Sequence, residues 1–151
     1  GKLSDSTMMA KKLSHRTNFV CAAPAYLEKY GIPYSLNQLR QHNCLLGTRD
    51  YWHFIEHSDN ANNADKETNL RVSGSVQYNS GHSLVDAALK GLGIVQLPDY
   101  YVQKHLASGA LVSVLDDYRE PEEGIWAIYP HNRHLSPKIR LLVDFLAQHL
   151  A

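Results

Sequence analysis

Apolar and polar positions follow two different periods along this chain, and the switches between them mark its elements. Met8 to Ala23 (MMAKKLSHRTNFVCAA) opens mixed and turns apolar at Phe19-Val20-Cys21, predicting an extended segment with a strand around Asn18 to Ala22. Pro24 suits the first turn of a helix to about Tyr30, which Gly31 and Pro33 close. Ser35 then caps a short helix, SLNQLRQ, whose Leu36 and Leu39 share a face. Cys44-Leu45-Leu46-Gly47 predicts a short buried strand, and the aromatic-rich Tyr51 to Ile55 predicts another. Ser58 to Thr68 (SDNANNADKET) is polar and asparagine-rich, as in a loop or hairpin tip.

From Leu70 to Asn79 (LRVSGSVQYN) the period is two again, predicting a strand with Gly74 at a bulge. Val85, Ala88, Leu89 and Leu92 then recur at helical spacing, with Gly91 or Gly93 as the stop. Ile94 to Leu97 is a short buried strand, Pro98-Asp99 starts a helix to about Ala107, and Leu111 to Leu115 is a strand. Asp116 to Glu123 (DDYREPEE) reads as a charged crossover and Ile125 to Tyr129 as a last buried strand. Ser136-Pro137 signals a helix start, and the segment that follows sets Ile139, Leu142, Val143, Leu146 and Leu150 on one face. Strands alternating with helices imply an α/β fold, in which ligands collect beyond the carboxyl ends of strands. Three such ends stand out: Gly47-Thr48-Arg49, Tyr78-Asn79-Ser80 and Pro98-Asp99. If their strands are parallel neighbours, the three tips form one rim.

Composition narrows the function classes. A chain of 151 residues, 44% hydrophobic and 20% charged, is of a size and make-up to bury a core as one domain or two small lobes. Its 15 Lys and Arg are balanced by 15 Asp and Glu, so it carries no overall basic footprint for DNA or a membrane surface. No stretch approaches a membrane span, and no signal-peptide pattern opens the chain. The opening Gly1-Lys2-Leu3-Ser4 has no start methionine, which suggests a chain cut from a longer one.

Candidate chemistry is sparse. Cys21 and Cys44 sit in apolar surroundings and read as structural thiols, neither at a strand-to-helix elbow nor beside a base, so no enzyme is expected. His131 and His134 fall in a loop, His53 and His57 would need a bend to converge, and neither pair has a zinc-site spacing, so no metal or cofactor is expected. Asn79-Ser80-Gly81 stands at the start of a helix and has two readings. It caps the helix and nothing more, or its free N–H groups receive an anion, with Arg49 as a carboxylate clamp and Thr48 and Ser80 adding hydroxyls.

The ordered set of segments resembles the C-terminal effector-binding domain of LysR-type transcriptional regulators. It is carried by Leu3-Ser4-Asp5-Ser6 with Ala10-Lys11-Lys12-Leu13, by Cys21-Ala22-Ala23-Pro24-Ala25-Tyr26-Leu27, and by LNQLRQHNC from Leu36 to Cys44. Asn79-Ser80-Gly81, ALKGLGIVQLPDY, Leu106 to Leu111, Ile125 to Pro130 and Ser136 to Leu150 complete it. The resemblance implies a type 2 periplasmic-binding-protein-like fold: a crossover and remnant of a first lobe over 1–18, a second α/β lobe over 19–116, and a return to the first lobe over 117–151. It implies a pocket in the cleft between the lobes, with Thr48, Arg49, Tyr78, Asn79, Ser80 and Pro98 as its residues, for a small effector, a carboxylate or similar anion, which tips the helix-start question toward a ligand. It also implies a cytoplasmic homo-oligomer with no membrane contact, and DNA binding only through an N-terminal winged helix-turn-helix that this sequence lacks, as it lacks the opening part of the first lobe. The alternatives are a solute-binding protein of the same fold and, further off, a small cysteine-dependent enzyme.

Overall fold

The computed structural model describes residues 8–121, 123–130 and 137–150. The chain divides into two compact units, one continuous (Thr17–Pro121) and one built from the two chain ends. In the latter, β1 (Met8–Arg16) pairs antiparallel with a late strand, β7 (Glu123–Pro130), with a register shift between Lys12 and Ser14. The final helix, α5 (Pro137–Leu150), packs against β1. Its expected cap, Ser136, lies outside the described residues. Val143 is buried, whereas Ile139, Leu142 and Phe145 remain exposed.

The continuous unit is organised around β2 (Asn18–Ala22), where Val20, Cys21 and Ala22 are buried. Helix α1 (Pro24–Tyr30) follows, with Pro24 in its first turn, and ends at Gly31, whose φ of 91° favours glycine. Helix α2 (Leu36–Leu39) is capped by Ser35, whose side chain accepts from the Gln38 N–H, and buries Leu36 and Leu39. Strands β3 (Tyr51–Glu56) and β4 (Lys66–Arg71) form a hairpin whose tip is the asparagine-rich stretch. Helix α3 (Gly81–Leu89), β5 (Val95–Pro98), α4 (Asp99–Ser108) and β6 (Val112–Val114) complete the unit, and a 3-10 turn occupies Asp116–Tyr118.

Two expected strands differ from expectation. Cys44 to Gly47 is not a full strand; it makes isolated parallel bridges, Cys44 to Ile94 and Leu46 to Gln77. The 70–79 segment is divided. Residues through Arg71 pair with β3, the Val72 N–H donates to the Asp50 carbonyl at 2.9 Å, and the chain then turns to the 44–46 segment. There Cys44 N–H donates to Ser73 O, Leu46 N–H to Val76 O and Tyr78 N–H to Leu46 O. Leu70 and Val72 are buried and Val76 and Tyr78 half-buried, so the apolar side chains keep one parity on either side of exposed Gly74 even as the pairing partner changes. Gly74 sits where the two chain segments press together: a Cβ there would stand 1.8 Å from the Cys44 carbonyl oxygen. It marks a close backbone approach in place of the expected bulge.

Spatial order across this sheet is therefore 76–78, 44–46, β5, β2, β6. The 76–78 segment, the 44–46 segment and β5 run parallel, and β2 is antiparallel to both β5 and β6. Two apolar clusters hold it. One gathers Val20, Tyr26, Leu39, Trp52, Phe54, Leu70 and Ile94; the other gathers Cys21, Leu45, Leu84, Ala88, Val95 and Val102 beneath α3 and α4.

Candidate functional site

Parallel pairing of the 44–46 and 76–78 segments brings their carboxyl ends out side by side. They line an open depression of about 560 Å3 formed by Gly47, Thr48, Gln77, Tyr78 and Asn79. Gln77 ties the two tips together, its Nε2 donating to the Gly47 carbonyl at 2.9 Å. The Tyr78 N–H donates to Leu46 O at 2.8 Å, and Gly47 lies close beneath Leu84 and the Tyr78 carbonyl. Thr48 and Asn79 are exposed and Tyr78 is half-buried, so the floor is backbone and ring while the rim carries a hydroxyl and an amide. Such a lining suits a small polar molecule.

Three of the expected site residues stand apart from this lining. Ser80 caps α3, its Oγ accepting from the Ser83 N–H at 3.5 Å, so the capping role is realised. Arg49 is exposed with its guanidinium 5.7 Å from the Tyr51 ring centre. Pro98 ends β5 on the same sheet edge, pairs with Asn18, and precedes Asp99, whose N–H donates to Thr17 O at 2.8 Å. The parallel-neighbour expectation thus joins Thr48, Tyr78 and Asn79 in one depression, with Arg49, Ser80 and Pro98 around it. Two contributors escape a sequence reading. Gln77 is hidden inside an alternating strand pattern. Tyr101 lies with its ring against Gly81, where a Cβ would come within 2.4 Å of it, so one side of the α3 start is roofed by an aromatic.

The thiols and histidines are placed elsewhere. Cys21 and Cys44 are free and buried, and burial pushes both thiols up to about 12. Cys44 Sγ points at the Leu39 carbonyl, 3.7 Å away. Neither holds a thiolate at neutral pH. The sign of the linkage follows: above 9.0 the unfolded chain loses these protons while the folded chain keeps them, so stability falls between pH 9.0 and about 12. Native protein at pH 8 is expected to resist a thiol reagent such as dithionitrobenzoate, with both cysteines reacting once denaturant is added. Prompt labelling of either one in the folded state would contradict their burial. His53 is within hydrogen-bond distance of Asn69 (2.6 Å) and His57 of Asp65 (3.0 Å), so the pair does not converge. The Ser58 N–H, and after it His57, hold the Asp65 carboxyl below its usual range. Among the described residues no group of three or more metal-ligating side chains forms. His131 and His134 lie outside the described residues.

Residues 1–151 match the family described as the LysR substrate binding domain. The chain belongs to that family. This LysR substrate-binding domain is 38% identical over 140 residues to the HTH-type transcriptional activator TtdR of Escherichia coli K12, covering 92% of the chain and 44% of that relative. It spans about half the length of the curated relatives it matches. Among solved structures it is similar to the CrgA regulatory domain of Neisseria meningitidis (TM-score 0.72, 29% identity, 100% of this chain and 72% of that one). It is also similar to full-length AphB of Vibrio cholerae (TM-score 0.76, 26% identity, 98% and 50%). The LysR domain accordingly has the periplasmic-binding-protein-like α/β fold expected from its sequence. No described helix is long and apolar enough to cross a membrane.

Proposed function

We propose that this chain is the effector-sensing part of a LysR-type transcriptional regulator, binding a small carboxylate or similar anion at the carboxyl edge of its continuous unit. The meeting of two parallel chain ends at Gly47-Thr48 and Gln77-Tyr78-Asn79, next to the start of α3, carries this reading. Thr48 and Asn79 supply the polar rim. Arg49, exposed and held by a ring contact, has the reach to swing from Tyr51 onto a carboxylate. Ser80 orders the helix start so that its remaining N–H groups face an anion, and Pro98 closes the rim from the neighbouring strand end. In this reading the chain does no chemistry. A bound effector shifts the balance between arrangements of the domain, and the parent protein, a cytoplasmic homo-oligomer, translates that shift into its hold on DNA through an N-terminal helix-turn-helix. The regulator reading is supported over a solute-binding protein by relatives named as transcriptional activators and regulators.

Calorimetric titration of the 151-residue chain against a panel of small mono- and dicarboxylates, each beside its uncharged amide, tests this. A carboxylate should bind where its amide does not, and Arg49→Ala should weaken it about tenfold, the scale of one charge-assisted hydrogen bond. Equal affinity for acid and amide would rule out an anion site, and unchanged affinity in Arg49→Ala would remove that residue from it.

A further inference from the structure

The sheet has a second edge. Because the 44–46 segment runs parallel to its neighbours, its amino end at Asn43 lies at the pole away from Thr48, beside the amino end of β5 and the close of α3. A recess of about 660 Å3 opens there between α1, the segment after α2 and the α3 terminus. That volume falls within the usual range for small-molecule sites. Its walls include Tyr26, Lys29, Tyr30, His42, Lys90 and Leu92, and among the described residues they carry two ammonium groups and no carboxylate.

The recess is built on a fixed hydrogen-bond frame. The Tyr26 hydroxyl accepts from the Asn43 N–H at 3.2 Å and lies within hydrogen-bond distance of His42 Nδ1, at 2.8 Å. Partial burial lowers the His42 pKa. Asn43 locks the surrounding chain: its Nδ2 donates to the Leu92 carbonyl (2.7 Å) and to Ser75 Oγ (3.0 Å), and its Oδ1 accepts from the Ser75 N–H (2.7 Å). Gly91, at φ 77°, turns the α3 terminus so that Leu92 comes back over this frame. The Tyr26 and Tyr30 rings stand 4.8 Å apart, centre to centre, and Lys29 Nζ lies 5.3 Å from the Tyr30 ring. Tyr30 and Leu92 are 58% and 50% exposed, apolar surface at the mouth of a preformed cationic hollow.

We propose that this recess is a second ligand site, for a small carboxylate with an apolar body such as an aromatic ring. Lys29 and Lys90 receive the carboxylate, His42 Nε2 donates to it, and Tyr30 and Leu92 cover the apolar part. Two ammonium groups alone would take any anion; the exposed ring and isobutyl group beside them select for the organic one. The site shares one chain segment with the carboxyl-edge depression, Asn43 to Thr48, and stands independently of what binds there.

Amide-resolved NMR titration of the 151-residue chain with sodium benzoate, against sodium phosphate and sodium chloride at matched ionic strength, tests the proposal. Benzoate should give saturable shifts at His42 and at Lys90 to Leu92, with phosphate at least about tenfold weaker. The Lys29→Gln/Lys90→Gln double variant should keep its melting temperature and raise the benzoate Kd about tenfold, as loss of two partly screened charges implies. Shifts confined to Thr48 and Asn79, equal affinity for phosphate and benzoate, or an unchanged Kd in the double variant would each overturn it.

Discussion

Gly74→Ala is expected to destabilise the continuous unit by at least about 3 kcal/mol, lowering its melting temperature by roughly 10 °C. The added Cβ would stand 1.8 Å from the Cys44 carbonyl oxygen, 2.7 Å from its carbon and 2.9 Å from Asn43 Oδ1. Two of those atoms are backbone, so no side-chain rotation relieves the clash. Relief requires that the 73–78 segment part from 44–46, which takes with it the hydrogen bonds from Cys44, Leu46 and Tyr78. Gly109→Ala is the matched control. Among the described residues nothing lies within 4 Å of a Cβ there, but φ is 83°, so its cost is conformational and about 1 kcal/mol. Thermal melts followed by circular dichroism compare the two. A Gly74→Ala protein melting no lower than Gly109→Ala would show that the segments are not pressed together as described.

Phe54→Ala should cost about 3–5 kcal/mol, whereas Phe54→Leu should cost less than about 1.5. Phe54 is 1% exposed and belongs to the cluster that joins the β3–β4 hairpin to α1, α2 and β2. Its removal leaves a hole lined by residues from several elements, which cannot collapse together without moving β3. Urea unfolding separates this from a local effect, because a cavity changes the midpoint and leaves the slope with denaturant as it was. A midpoint near that of the unaltered protein would place Phe54 outside the core.

These two positions show what the sequence reveals of itself. The strand at Asn18 to Ala22, the helix from Pro24, the Ser35 cap and the helix after Ser80 were legible because each rests on local signals: a proline, a small polar cap, a helical stripe. The division at Arg71 was not. The apolar residues from Leu70 to Tyr78 keep one parity on either side of exposed Gly74, and only a distant partner, Cys44, decides where one pairing stops and another starts. Gly74 advertises a special position in either case, but a bulge and a close approach look alike without that partner. At the candidate site, strand-end logic leads to Thr48, Tyr78 and Asn79, since parallel neighbours put their carboxyl ends together. Gln77 and Tyr101 stayed hidden because their roles come from tertiary neighbours, the Gly47 carbonyl and the Gly81 backbone.

The place of β2 in the sheet governs how this chain must fold. Val20 pairs with Gln96 on one side and with Val114 on the other, so the first strand of the unit waits for nearly the whole of it before either edge is covered. The β3–β4 hairpin closes over the loop 57–65, a local connection, but the central sheet closes only through contacts distant in sequence, the slow kind. During synthesis, an apolar strand with two bare edges precedes both of its partners. A chain ending before Val112 would keep one of those edges open, a template for pairing with another molecule.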